Sequence, residues 1–111
     1  MTENERLLRT FSLPSIAGNE RLAVKEIEEF LRPLGLPFRQ LERIKTAVAE
    51  TAMNAIEHGN RYQEVLPVTV ETEIAPGSLH IRITDYGGQK NIPIAEEPDI
   101  DAKLAGLQSP R

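Results

Sequence analysis

Residues 68–85 constrain the fold more tightly than any other stretch of this chain. In PVTVETEI, Val68, Val70, Thr72 and Ile74 alternate with Thr69, Glu71 and Glu73. In LHIRITD, Leu79, Ile81 and Ile83 share one face, and Asp85 follows them with the same parity. Ala75-Pro76-Gly77-Ser78 between the two runs has the composition of a turn. A period of two places the apolar side chains of this hairpin on one side of a sheet. That side needs cover, and 111 residues are enough for one compact domain that supplies it.

The cover comes from the preceding residues. RLLRTFSL, residues 6–13, reads as a strand with Leu7, Phe11 and Leu13 of one parity, ended by Pro14. Asn19 is the expected cap of a first helix, in which Ala23, Ile27, Phe30 and Leu34 fall on one face and Gly35 closes the end. A second helix is expected from Pro37 to His58, ended by Gly59, with a core stripe of Leu41, Ile44, Val48, Ala52 and Ala55. After DYGG the periodicity fades, prolines recur at 93, 98 and 110, and EEPDID is acidic. Residues 89–111 read as a loop or lid, with a short helix around Ala102–Leu107. The order strand, helix, helix, strand, strand implies an α/β two-layer sandwich, with helices on one face of a mostly antiparallel sheet.

Several function classes are disfavoured. The chain has no cysteine, which removes a disulfide framework and a thiolate metal site. Its net charge is −4, it shows no basic patch, and aromatic residues make up 5%, so direct nucleic-acid binding is not expected. MTENERLLRT contains no apolar run, so neither a signal peptide nor membrane attachment is expected and a cytoplasmic location is.

Two places carry chemistry. On the second helix Glu50, Asn54 and His58 recur every four residues, apart from the core stripe. Side chains four apart on a helix are neighbours and can act on one ligand. A carboxylate can accept a proton from a hydroxyl, and an amide oxygen is a hard ligand suited to magnesium. The plainer account is a solvated helix face with a histidine near its favourable C-terminal end. The other place is Asp85, a carboxylate ending an apolar strand face, followed by Tyr86-Gly87-Gly88. An acid beside a glycine-lined backbone suits an amine-bearing ring such as adenine, while a strand-ending turn is the plainer account. His80 has the opposite parity to Leu79 and Ile81 and belongs on a solvated face.

Glu-x-x-x-Asn-Ala-x-x-His-Gly on a helix, a hairpin, then Asp-x-Gly at a strand end resembles the GHKL ATPase superfamily, with its N box and G1 box. Within it, TAVAETAMNAIEHGN is most similar to the small bacterial anti-sigma factor kinases. The resemblance covers nearly the whole chain. It implies that Glu50 is the general base, Asn54 a magnesium ligand, Asp85 the acid that accepts the adenine amino group, and Gly87 the glycine beside the base. Gly88 and His58 complete the nucleotide site, His58 without a defined chemical role. It further implies ATP and Mg2+ as cofactors and transfer of the γ-phosphate to a serine of an anti-anti-sigma (STAS-type) protein. The expected partners also include a sigma factor, which is sequestered, and a second copy of the chain.

In that family a glycine-rich G2 box, a helix and closing strands follow the lid, and this sequence reaches Gln108-Ser109-Pro110-Arg111 at about that point. Residues 1–88 are therefore expected to hold the N-terminal part of the domain and 89–111 a lid-like loop. The adenine end of the site is expected to be present and the phosphate end incomplete. Residues 1–111 alone are then expected to bind ATP weakly, to lack kinase activity and to self-associate. A fragment, a chain completed by a partner, and a lapsed nucleotide site all fit. A regulatory binding module without catalysis is thus an alternative function. The catalytic domain of a histidine kinase is a more distant one, since no upstream helix carries an acceptor histidine.

Overall fold

The computed structural model describes residues 6–86 and 88–92. Strands β1 (Leu7–Leu13), β2 (Val68–Ala75), β3 (Ser78–Asp85) and β4 (Gly88–Ile92) form one sheet in the order β1-β2-β3-β4. Every pairing is antiparallel. Helices α1 (Glu20–Leu31) and α2 (Phe38–Asn54) lie between β1 and β2 in sequence. A single 3-10 turn, Arg32–Leu34, and Gly35 at φ 61° separate the two helices. That left-handed value is one that glycine adopts without strain.

The alternation of the hairpin becomes the inner face of the sheet. Val68, Val70, Thr72 and Ile74 are buried, as are Leu79, Ile81, Ile83 and Asp85. The aliphatic ones among them meet Ala23, Ile27 and Leu31 of α1 and Ile44, Val48 and Ala52 of α2 in one apolar cluster. Each fully buried valine, leucine or isoleucine of this layer contributes about 1.5–3 kcal/mol. Leu41 of the expected stripe is half-buried at the margin of the cluster. The outer face of the sheet stays polar: Ser12 and Thr69 share a 3.2 Å hydrogen bond, and Arg6 meets Glu73 at 3.0 Å. His80 is exposed on that same face, across from Glu73. Two helices on one face of an antiparallel sheet are the α/β sandwich expected from the sequence.

The edge strand β1 has a sparser inner face. Leu13 is buried and Phe11 half-buried, but Leu7 is largely exposed. Between them Arg9 reaches α1, pairing with Glu26 at 2.8 Å, its guanidinium 5.9 Å from the centre of the Phe30 ring. The aliphatic stem of an arginine can cover apolar surface while its head stays wet, so a charged residue can serve at this edge.

Three expectations need correction. Asn19 occupies the residue before α1, but makes no side-chain cap bond; its Nδ2 donates to the Pro14 carbonyl at 2.9 Å instead. The second helix does not run α-helical to His58. It ends at Asn54 and widens into a π turn over Ala55–Gly59, closed by the Asn60 N–H donating to the Ala55 carbonyl at 2.8 Å. Residues 89–92 are strand rather than loop: Asp85 pairs with Gly88 and Ile81 with Ile92. Periodicity misses such a strand because GQKNI has no apolar alternation, and ladder bonds to a neighbouring edge need none. The short helix expected around Ala102–Leu107 lies outside the described residues.

Lys45 ties the two helices together, donating to Glu42 at 3.0 Å and to Glu28 at 3.3 Å. The hydrogen bonds to Glu42 and then Glu28 raise its pKa above the ordinary 10.5. A raised lysine stabilises the fold fully below its unfolded value, and the contribution is lost as pH rises through the folded one. Thermal unfolding across that alkaline range should show a drop in the native chain that is smaller in Lys45→Met. The two melting temperatures should converge above it. Identical profiles would mean that the bridge contributes nothing, as many exposed ion pairs do.

Candidate functional site

The site is built where the end of α2 meets the end of β3. Glu50 and Asn54 lie on the last turns of α2, and both are exposed. A shallow groove of about 430 Å³ along α2 is lined by Glu42, Arg43, Thr46, Ala47 and Glu50, and takes in neither Asn54, His58 nor Asp85. Glu50 and Asn54 can still reach a ligand in solvent while Val48 and Ala52 hold the helix on the sheet. His58 is exposed within the π turn, its Nε2 4.0 Å from Glu57 Oε2. A π turn is wound more widely than an α-helix, so His58 departs from the even spacing that the four-residue recurrence suggests. Single π turns are frequent at functional sites.

Asp85 is 5% exposed at the end of β3. Its carboxylate rests against the bare α-carbon of Gly59. A Cβ at residue 59 would stand 1.9 Å from Asp85 Oδ2 and 2.2 Å from Cγ. No side chain fits in that gap, so glycine is what lets the acid come against the turn that follows Asn54. The structure thus brings the strand-end acid to the helix that carries Glu50 and Asn54, two features 35 residues apart in sequence when counted from Glu50 to Asp85. Gly88 pairs with Asp85 in the β3–β4 ladder. Gly87 lies outside the described residues.

Asn60 is a residue of the site that pattern reading overlooked. It is 1% exposed. Its Nδ2 donates to Ser15 Oγ at 2.9 Å, to the Leu66 carbonyl at 3.0 Å and to the Pro67 carbonyl at 3.1 Å. Its Oδ1 accepts the backbone N–H of Tyr86 at 2.8 Å. Ser15 Oγ in turn donates to the Leu66 carbonyl. The signal available in the sequence was an asparagine directly after the helix-ending glycine, and asparagine is a residue that binds backbone groups at such positions. The chain then turns through Arg61 and Tyr62 at φ 51° and 58°, unusual values for side chains of this size.

What the arrangement can do follows from its groups. An exposed carboxylate and amide one helical turn apart offer a proton acceptor and a hard oxygen ligand. A buried carboxylate with a backbone turn beside it offers an acceptor for an exocyclic amine. Among the described residues no three His, Cys, Asp or Glu side chains form a metal cluster. A hard cation here would thus lean on the Asn54 amide, on ligand phosphate and on water, the sparse protein coordination that magnesium tolerates. Among the described residues no helix is long and apolar enough to cross a membrane.

Comparison with known proteins identifies the family of the chain. The histidine kinase-like ATPase domain matches residues 13–108. Over 85 residues the chain is 36% identical to the anti-sigma F factor of Clostridium botulinum strain Eklund 17B, covering 76% of this chain and 59% of that protein. The anti-sigma F factor of Clostridium perfringens strain SM101 is 36% identical over 86 residues, 77% of this chain and 61% of its own length. That of Oceanobacillus iheyensis is 31% identical over 95 residues, 85% of this chain and 65% of its own. The chain spans about six tenths of the length of these relatives.

The contact at Gly59 makes a direct prediction. Gly59→Ala must displace the Asp85 carboxylate or the end of the π turn, and overpacking of this kind costs about 1–3 kcal/mol. Thermal or urea unfolding should register that loss. A variant as stable as the native chain would show that the contact is loose.

Proposed function

Because this chain belongs to the histidine kinase-like ATPase domain family, we propose that its site binds ATP with Mg2+ in the service of an anti-sigma regulator. The supporting observation is the junction at Gly59, where the Asp85 carboxylate lies against the turn that continues the Glu50–Asn54 helix. In this reading Asp85 accepts a hydrogen bond from the adenine amino group, Gly87 and Gly88 line the base, and His58 borders the site. Asn54 offers its amide oxygen to magnesium, which when bound offsets phosphate charge. Glu50 is the general base. It takes the proton of a serine hydroxyl as that oxygen bonds to the γ-phosphorus. The bond from the γ-phosphorus to the β–γ bridging oxygen breaks, and ADP leaves with that electron pair.

The anti-sigma F factor relatives supply the partner class. We infer that the protein sequesters a sigma factor and that the serine belongs to an anti-anti-sigma protein. A second copy of the chain is a further partner: β1 lies at an end of the sheet with Leu7 and Leu8 exposed, a surface suited to pairing. Light scattering should give a mass above 12.4 kDa; a clean monomer at high concentration would remove that partner. A cytoplasmic setting follows from these partners.

Chemistry is tested in the protein as the cell makes it, with radiolabelled ATP and the anti-anti-sigma protein as acceptor. Glu50→Gln should lower phosphoryl transfer by about 10²–10⁴-fold while leaving ATP binding within a few-fold. Asn54→Ala should weaken binding in the presence of magnesium more than in its absence. Normal turnover in Glu50→Gln would remove Glu50 from the base role. Sigma-factor binding that persists without any nucleotide effect would favour a regulatory module that does no chemistry.

A further inference from the structure

The side chain of Asn60 does two separable jobs. Through Nδ2 it holds the 60s loop and Ser15, and through Oδ1 it holds the Tyr86 N–H, the first backbone donor beyond Asp85. Asp85 is thereby fixed from two directions. Gly59 bounds the carboxylate on the helix side, and Asn60 holds the peptide unit that joins Asp85 to Tyr86. At 1% exposure Asn60 is sealed from solvent and does not itself face a ligand.

We propose that Asn60 is a positioning residue for nucleobase selection, acting through the Tyr86 N–H on the placement of the Asp85 carboxylate. The proposal rests on the reading that Asp85 recognises the adenine amino group. A purine with a 6-amino group donates to a carboxylate, whereas guanine presents a carbonyl oxygen there and is repelled. Discrimination of that kind depends on where the carboxylate stands. Losing the Oδ1 bond frees the backbone after Asp85, so base preference falls.

The experiment compares ADP and GDP binding to the full chain by NMR titration at millimolar nucleotide, alongside thermal unfolding. Asn60→Ala should lower the ADP-over-GDP preference by about tenfold or more. Ser15→Ala removes a partner of the Nδ2 side and serves as the structural control. It should lower the melting temperature and leave the preference unchanged. Asp85→Asn separates the two levels. If it leaves the preference intact, the adenine reading fails and the proposal falls with it. If Asp85→Asn abolishes the preference but folded Asn60→Ala keeps it, the positioning role alone is overturned. An equal loss in Ser15→Ala would also overturn it, since general loosening would then suffice. Should Asn60→Ala not fold, the unaltered chain still decides. The Asn60 side-chain amide resonances should shift with ADP and not with pyrophosphate, and their silence in saturating ADP overturns the proposal.

Discussion

A single apolar layer between one sheet face and two helices is what the described fold rests on. Its composition leaves little slack. Six aliphatic side chains come from β2 and β3: Val68, Val70, Ile74, Leu79, Ile81 and Ile83. The helices return small residues, Ala23, Ala52 and Ala55, among larger ones such as Ile27 and Ile56. Small residues on a helix let its backbone come close to the sheet, which is why the end of α2 can approach the end of β3 at all. Close packing of this layer transmits position: where α2 sits decides where Glu50 and Asn54 stand relative to Asp85.

Polar groups then finish what the apolar layer begins. Hydrophobic contact is non-directional and would tolerate small shifts of β3 along α2. Hydrogen bonds do not, and the buried Asn60 amide uses both of its ends on backbone and side-chain groups from separate segments. Buried polar groups that are satisfied in this way specify one arrangement among several of similar apolar burial. Thr72 Oγ1 and Gln40 Oε1 show the contrast: both are buried without a hydrogen-bond partner, one at mid-sheet and one in the first turn of α2. No comparable constraint of direction is visible at either position.

Much of the architecture was legible from residue type and spacing, because burial on one face of a hairpin leaves a period of two that little else produces. The stripe on α2 was legible for the same reason at a period of 3.6. The π turn was not, since neither the apolar spacing nor the residue types of AIEHG mark where a helix widens by one residue. β4 escaped because its bonds are between backbones. At the site, Glu50, Asn54 and Asp85 were visible as polar residues out of keeping with their surroundings. Gly59 was read as a helix terminator, whereas its decisive property is the space it leaves for the carboxylate. Asn60 was hidden because its partners, Ser15 and Tyr86, are 45 and 26 positions away.

The connectivity of the sheet has a kinetic meaning. β2, β3 and β4 follow one another through tight turns, so their ladders close short loops. β1 joins the same sheet from far away in sequence, Ser12 meeting Thr69 across 57 positions. Contacts at long separation lose the entropy of loop closure before any ladder bond compensates for it, so such topologies fold more slowly than local ones. The Ser15–Asn60 hydrogen bond, just after β1, also closes a long separation, 45 positions. Among the described elements, the pairing of the edge strand and the Ser15–Asn60 hydrogen bond therefore both belong to long-range closure, the kind of contact that loop entropy delays.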